Sequence, residues 1–145
     1  MKQSESQLQR AVARVLDASG LLWCHVPNGG QRHPAVAKKL KAEGVKAGVP
    51  DVLVLEPYII HVKVPMMKAR AFTLEQLVNG EKEVTESRVC CGLALELKVG
   101  KNKPTAAQVE WHERLRKSGW RVEVCYTLDE VLGILRECYP SKFNN

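Results

Sequence analysis

The sequence lacks the features that define several classes of protein. It has no uninterrupted apolar run long enough to cross a bilayer, and its first residues are polar with no apolar signal-peptide core behind them. Its five cysteines are an odd number and none forms a Cys-x-x-Cys pair, so neither a disulfide framework nor a structural zinc site is expected. No internal repeat or low-complexity segment is present. These absences predict a protein of the reducing cytoplasm that does not contact a membrane.

The composition is that of an ordinary globular domain with an excess of positive charge. The chain has 145 residues, of which 45% are apolar and 26% are charged, and this length suits one domain with a sizeable core. The formal net charge is +6 and the isoelectric point is about 9.2. This excess favours an anionic partner such as nucleic acid, although charge alone says nothing about fold or chemistry.

The segment Gly92-Leu-Ala-Leu-Glu-Leu-Lys98 alternates like a β-strand but carries charged residues between its leucines. Because a strand has a period of two, the leucines share one face, and Glu96 and Lys98 share the other. Asp51 begins a second apolar run directly after a Gly-Val-Pro turn. If the two strands pair, Asp51 joins Glu96 and Lys98 in one cluster. Two carboxylates around a hard cation, with an amine beside them, are the parts of a Mg²⁺-dependent site for phosphodiester hydrolysis.

Each of these interpretations has a structural alternative. Glu96 and Lys98 could form an ion pair on an exposed edge strand, but the flanking leucines favour a central strand. Glu5 could point into the metal site, although its spacing alone favours a first-turn acid that complements the helix dipole. Gln108 stands in capping-box spacing with Thr105, so it has a structural role available at the start of a helix.

Basic residues are concentrated in three places and are candidates for contacts with DNA. Several lysines crowd residues 38–46, where a solvated face and a phosphate contact are equally consistent with the pattern. A Pro-Asn-Gly-Gly-Gln-Arg loop could offer amides and a guanidinium to a phosphate, and a basic turn follows the Glu96 strand. The predicted DNA-binding residues are Arg32, Lys38, Lys46, Lys101 and Lys103. His25 and His33 have no partner at ligand spacing and are interpreted as surface or core residues.

The order of helical and strand patterns predicts an α/β domain over residues 1–140 with a mixed central sheet. Residues 57–91 interrupt this order and are predicted to form an inserted arm or hairpin. Residues 141–145, after Pro140, are expected to be a flexible tail.

Four motifs follow one another along the chain. They are Gly44-x-x-x-Gly-Val-Pro-Asp51, Gly92-Leu-x-Leu-Glu96-x-Lys98, Pro104-Thr-x-x-Gln108-x-x-Trp111 and Gly119-Trp120. A short motif alone would be weak support, but the four together cover most of the chain. Taken in order, they resemble the VRR-NUC family, a branch of the PD-(D/E)xK nuclease superfamily. The resemblance is to small stand-alone members, which are common in phage and bacterial genomes.

The resemblance implies a restriction-endonuclease-like fold and a role for each residue of the cluster. Asp51 and Glu96 would bind Mg²⁺ or Mn²⁺, helped by the backbone carbonyl of Leu97. Lys98 would orient or activate the attacking water. Gln108 matches a glutamine that lies near the catalytic site in the superfamily. Glu5 matches an acidic residue of the leading helix that can complete the metal shell.

The resemblance also implies a substrate and an assembly. Stand-alone members look like homodimers that cut branched DNA such as four-way (Holliday) junctions or flaps. Residues 58–91 are longer than the connection expected here, and an insertion can change dimer geometry or substrate choice. The alternative function is a non-catalytic or partner-activated DNA-binding protein on the same fold, and such a protein would be expected to have a degraded cluster. A nuclease that reads a base sequence is less consistent with a chain that has no separate recognition domain.

Overall fold

The computed structural model describes residues 4–27, 33–71 and 73–143, in which helices flank a four-stranded sheet. None of the helices in these ranges is both long and apolar enough to span a bilayer. In chain order the elements are α1 (Glu5–Ser19), β1 (Trp23–His25), α2 (Pro34–Ala42), β2 (Val52–Val54), β3 (Tyr58–Pro65), a 3₁₀ turn (Met66–Lys68), α3 (Leu74–Val78), β4 (Glu83–Cys90), β5 (Leu93–Leu97), α4 (Ala106–Lys117), β6 (Arg121–Cys125), α5 (Leu128–Cys138) and α6 (Pro140–Phe143).

The central sheet is mixed, as the sequence predicts. Its strand order is β1-β2-β5-β6, with antiparallel pairing of β1 with β2 and of β2 with β5, and parallel pairing of β5 with β6. Every residue of β5 is buried, so the strand that carries Glu96 is central and not an exposed edge. A strand covered on both faces needs a helix on each side, and α1 and α4 contribute to the two layers.

The apolar face of α1 covers the leucine face of β5. Leu8, Val12 and Leu16 recur at helical spacing and are fully buried in one core with the three leucines of β5 and the apolar residues of α5. Each buried leucine contributes about 1.5–3 kcal/mol through apolar burial. A capping box at Ser4 fixes the start of α1, which places Glu5 at its first helical position.

Residues 58–90 form a two-stranded hairpin outside the central sheet. Strand β3 pairs with β4 along its whole length, from Tyr58 opposite Cys90 to Pro65 opposite Glu83. The base of this hairpin packs on the C-terminal helices, where the Tyr58 and Tyr139 ring centroids are 5.0 Å apart. The predicted excursion is therefore a hairpin, and its being an insertion relative to the family stays a prediction.

The structure describes the first residues of the tail predicted after residue 140. Helix α5 ends at Cys138, and residues Pro140–Phe143 form one further helical turn. Proline is tolerated at the first helical position because its missing N–H would have no helical partner there. Phe143 packs against the core. Residues 144 and 145 lie outside the described residues, and the flexibility of the tail stays a prediction.

Candidate active site

The sheet brings together the residues that the sequence places in one cluster. Asp51 immediately precedes β2, and the antiparallel register pairs Val52 with Leu95, so Asp51 lies across from Glu96. One oxygen of Asp51, Oδ2, accepts a hydrogen bond from the backbone N–H of Leu97 at 2.8 Å. This bond ties the Asp51 carboxylate to the strand that carries Glu96.

Pro50 ends the pairing of β2 with β5 at the site. The N–H of Lys98 donates to β6, so the N–H and carbonyl of the preceding residue, Leu97, face β2. Continuing the register puts Pro50 opposite Leu97. Proline has no N–H to donate to the Leu97 carbonyl, and the Asp51 side chain takes the Leu97 N–H. The Leu97 carbonyl therefore lies at a strand end beside Asp51, although its role as a metal ligand stays a prediction.

Glu96 is a fully buried carboxylate surrounded by hydrogen-bond donors. Its Oε1 accepts hydrogen bonds from Lys98 Nζ and Gln108 Nε2, and Lys98 is itself only 7% exposed. Burial raises the pKa of Glu96 to about 7, against the lowering effect of the Lys98 hydrogen bond, and the charges of Asp51 and Glu5 raise it further. Burial alone would lower the pKa of Lys98, but its bond to Glu96 outweighs this and raises it. The ionised carboxylate thus depends on nearby positive charge.

Gln108 connects the start of α4 to the buried carboxylate. Its Oε1 accepts the N–H of Thr105 at 2.8 Å, and the Thr105 hydroxyl accepts the Gln108 N–H at 3.4 Å. The capping box predicted from the sequence is therefore present. The amide Nε2 of the same side chain donates to Glu96. Gln108 consequently has both the structural role and a position in the cluster.

His112 is a residue of this cluster that the sequence analysis did not identify. It lies one helical turn after Gln108, is 3% exposed, and its Nε2 is 3.5 Å from Glu96 Oε2. Burial lowers the pKa of His112, and the charges of Arg116 and Lys98 lower it further, so the neutral imidazole is favoured. The i, i+4 spacing of Gln108 and His112 on one helix face was the available sequence signal.

Glu5 borders the same opening as Asp51. Both residues line a cavity of about 250 Å³ that also touches Gly48 and Gln108. A second cavity of about 270 Å³ again contains Glu5 and Asp51, together with His25. The exposed His25 ring places Nδ1 2.8 Å from the backbone oxygen of Asp51. Glu5 is a first-turn acid and also faces the cluster, and its role as a metal ligand stays a prediction.

Gly48 lets the loop before Asp51 pack directly on the start of α4. Its φ is +85°, and a Cβ at this position would lie 2.5 Å from the backbone carbonyl carbon of Ala107. Only glycine tolerates both the positive φ and this approach. The contact sets the distance between the Asp51 loop and the helix that presents Gln108.

We expect Gly48→Ala to destabilise the protein more than Gly44→Ala does. Gly44 has a φ of +96° but nothing within 4 Å of its Cβ position, so it is a matched control for the backbone strain alone. The added clash at Gly48 should cost a further 1–3 kcal/mol or so of unfolding free energy, as overpacking does. Urea unfolding of both variants measures the difference. Equal losses would mean that the Gly48 contact with α4 does not constrain the fold.

The oxygen donors of the cluster fit a divalent cation that keeps several waters. In the part of the chain that the structure describes, no three His, Cys, Asp or Glu side chains are placed to hold a metal by themselves. Asp51, Glu96 and the Leu97 carbonyl are nevertheless hard oxygen donors, the type that Mg²⁺ and Mn²⁺ bind. Burial is the main cause of the raised pKa of Glu96, and the negative charges of Asp51 and Glu5 add to it. A cation between these carboxylates would offset that repulsion.

The predicted DNA-binding lysines have exposed side chains. Lys38 is exposed on α2, and Lys46 is exposed in the loop before β2. Lys101 and Lys103 are exposed in the turn between β5 and α4. Arg32 lies outside the described residues. Contact of these side chains with DNA stays a prediction.

Comparisons with known proteins agree with the fold. The model of the VRR-NUC domain family matches residues 3–128. A solved structure described as a VRR_NUC domain protein superposes with a TM-score of 0.58, covering 97% of this chain and 91% of that chain. Its sequence identity is 22%, so this likeness shows the fold alone. No curated protein matches the chain. Because the family model covers most of its length, this chain belongs to the VRR-NUC family of nucleases.

Proposed function

We propose that this protein is a Mg²⁺- or Mn²⁺-dependent DNA endonuclease that hydrolyses phosphodiester bonds in branched DNA, such as four-way junctions or flaps. The observation that carries the proposal is the buried Glu96 carboxylate, bound to Lys98 and Gln108 and facing Asp51. Burying an ion pair costs several kcal/mol per ion before the partners interact, so such a pair is a poor way to stabilise a fold. The presence of this buried pair beside a second carboxylate, which lines an open cavity, supports a catalytic role.

Each residue of the cluster has a separate role in the proposed hydrolysis. Asp51, Glu96 and the Leu97 carbonyl, with Glu5 nearby, would hold the cation, which would supply Lewis acidity and lower the pKa of a bound water. The Lys98 ammonium is held in place by Glu96, where it orients the attacking water and offsets charge on the phosphate oxygens. Gln108 and His112 keep the Glu96 carboxylate in one orientation. The lysines outside the cluster would hold the DNA backbone.

The branched substrate, a homodimeric assembly and a cytoplasmic location belong to the same proposal. The net charge of +6 supports binding of a phosphate backbone without a separate sequence-reading domain. The far end of the hairpin exposes apolar side chains, including Met67, Leu74 and Val78, which supports contact with a second copy. All five cysteines are free thiols, which is consistent with a reducing compartment.

Cleavage of a labelled panel of DNA tests the proposal. The panel holds single strand, duplex, splayed arm, flap and four-way junction, each incubated with Mg²⁺, Mn²⁺ or a chelator. We expect metal-dependent cutting that is fastest on a branched member and is lost in Asp51→Asn. Binding without cutting in either metal would instead support the alternative, a non-catalytic or partner-activated DNA-binding protein. The lack of a three-residue metal cluster among the described residues is the observation that favours that alternative.

A further inference from the structure

An apolar pocket of about 420 Å³ lies beside the cluster and has no role in the chemistry described above. It opens between the end of β1, the residues that follow α2, and α4. Its size is within the usual range for small-molecule sites. The walls are formed chiefly by Pro27, Leu40, Val45, Val49 and Trp111, and Lys46 is the one charged residue among the described residues that line it.

The pocket is built on the same segments as the cluster. Val49 precedes Asp51 by two residues, and Trp111 follows Gln108 by one turn of α4. The N–H of Val26, another lining residue, donates to the backbone oxygen of Asp51 at 2.8 Å. Pro27 lines both this pocket and the cavity that contains Asp51. A group that enters the pocket is therefore adjacent to a phosphate bound at the cluster.

The lining suits a flat apolar group that carries negative charge at its edge. The indole of Trp111 is half-buried, and the Arg114 guanidinium lies 5.0 Å from its ring centroid. Lys46 thus places one cation in the lining of this apolar space, and Arg114 places a second cation on the ring of Trp111. An aliphatic or peptide side chain carries no negative charge for these cations to bind. Every base of a DNA strand, in contrast, is linked through its sugar to negatively charged phosphates. Stacking of one base on an aromatic ring is worth about 1–3 kcal/mol.

We propose that this pocket receives one nucleobase, turned out of the DNA stack, from a nucleotide next to the phosphate that is cut at the cluster. This proposal rests on the proposed nuclease function and gives a physical reason for its substrate class. In duplex DNA each base is paired and stacked, and turning one out costs a few kcal/mol. The cost is smallest where a nucleotide is already unpaired, so the pocket selects branch points, flaps and single-stranded segments.

An abasic scan tests the pocket directly. The branched DNA that the protein binds best is prepared with a single abasic site at each position around the branch. Binding is measured by fluorescence anisotropy with a chelator present, and cleavage by single-turnover kinetics with Mg²⁺. We expect one position, next to the cut, at which loss of the base weakens binding by about tenfold or more. The affinity of Trp111→Ala for intact DNA should be lower than that of the wild type by about the same factor. An abasic site at that position should not weaken the binding of this variant further.

Two further variants keep the result interpretable. Val45→Phe fills the pocket without removing Trp111, so it tests the cavity if Trp111→Ala does not fold. Val109→Ala, an exposed position of α4 that does not line the pocket, is the matched control and should behave as wild type. Unchanged affinity and undiminished abasic sensitivity in Trp111→Ala or Val45→Phe would overturn the proposal.

The two readouts separate failure of the pocket from failure of the nuclease function. If the DNA is cut at the same rate with an abasic site at every position, the nucleobase pocket is refuted and the proposed nuclease function stands. Binding that depends on one base, without cutting, keeps the pocket and refutes the cleavage. A protein that neither binds nor cuts the DNA refutes both.

Discussion

Lys98→Met lowers the single-turnover rate of cleavage by about 100-fold or more, the effect expected when a preorganised electrostatic contact to the transition state is removed. Lys98 is 7% exposed and its ammonium is bound to Glu96 at the end of β5, so no other described lysine side chain is fixed at the same place. Methionine keeps most of the length of the side chain but cannot donate to water or offset phosphate charge.

The affinity of this variant for DNA should change by less than about tenfold, because backbone contacts from exposed lysines and arginines dominate binding. Lys103→Met removes the same formal charge from an exposed position in the next turn and is the control. It should weaken binding slightly and leave the rate of the bound complex unchanged. Equal cleavage by Lys98→Met and wild type would remove Lys98 from the catalytic assignment. A loss confined to binding would make it a DNA contact.

The central part of this site was predictable because strand periodicity constrains it. Alternation in β5 places Glu96 and Lys98 on one face, and a proline before Asp51 marks the end of a paired strand. Once β2 pairs with β5, the register leaves Asp51 little freedom. The mixed sheet could be predicted in the same way, from apolar runs separated by turn residues. The pattern over residues 57–91 left an arm and a hairpin open, and the pairing of β3 with β4 is seen only in the structure.

The features that the sequence analysis did not identify depend on packing between segments that are distant in the chain. A single sequence shows no pattern that reveals such packing. His112 is polar on a helix whose neighbours are mostly charged, so its burial against Glu96 depends on how α4 docks on β5. Gly48 resembles any turn glycine until the backbone of α4 is seen within 3 Å of its Cβ position. Phe143 packs against the core, and the sequence alone does not show that this surface is within its reach. Each of these contacts joins residues that are far apart in sequence, and local propensity carries no information about them.

The double variant Glu96→Gln/Lys98→Met should be inactive and at least as stable as wild type. Replacing both members of a buried ion pair by neutral groups of similar volume is often neutral or stabilising by about 1–4 kcal/mol, because the desolvation cost of two charges is removed. Glutamine retains an oxygen that can accept the hydrogen bond from Gln108, and methionine fits an apolar surrounding. Lys98→Met alone leaves the Glu96 carboxylate without its charged partner, and should lower the unfolding free energy by about 3–5 kcal/mol.

Urea unfolding followed by circular dichroism measures the stability of Glu96→Gln, Lys98→Met, the double variant and the wild type, and cleavage of the branched substrate is measured in parallel. If the double variant is as stable as the wild type but does not cleave DNA, the pair is needed for catalysis and not for the stability of the fold. A double variant that is clearly less stable than the wild type would point the other way, because the charged pair would then make a net contribution to the stability of the fold. Glu96 and Lys98 would then be a structural ion pair, and Asp51 beside them would no longer support a catalytic centre. The thermodynamic cycle therefore decides between the two interpretations of this strand without relying on knowledge of the natural DNA substrate.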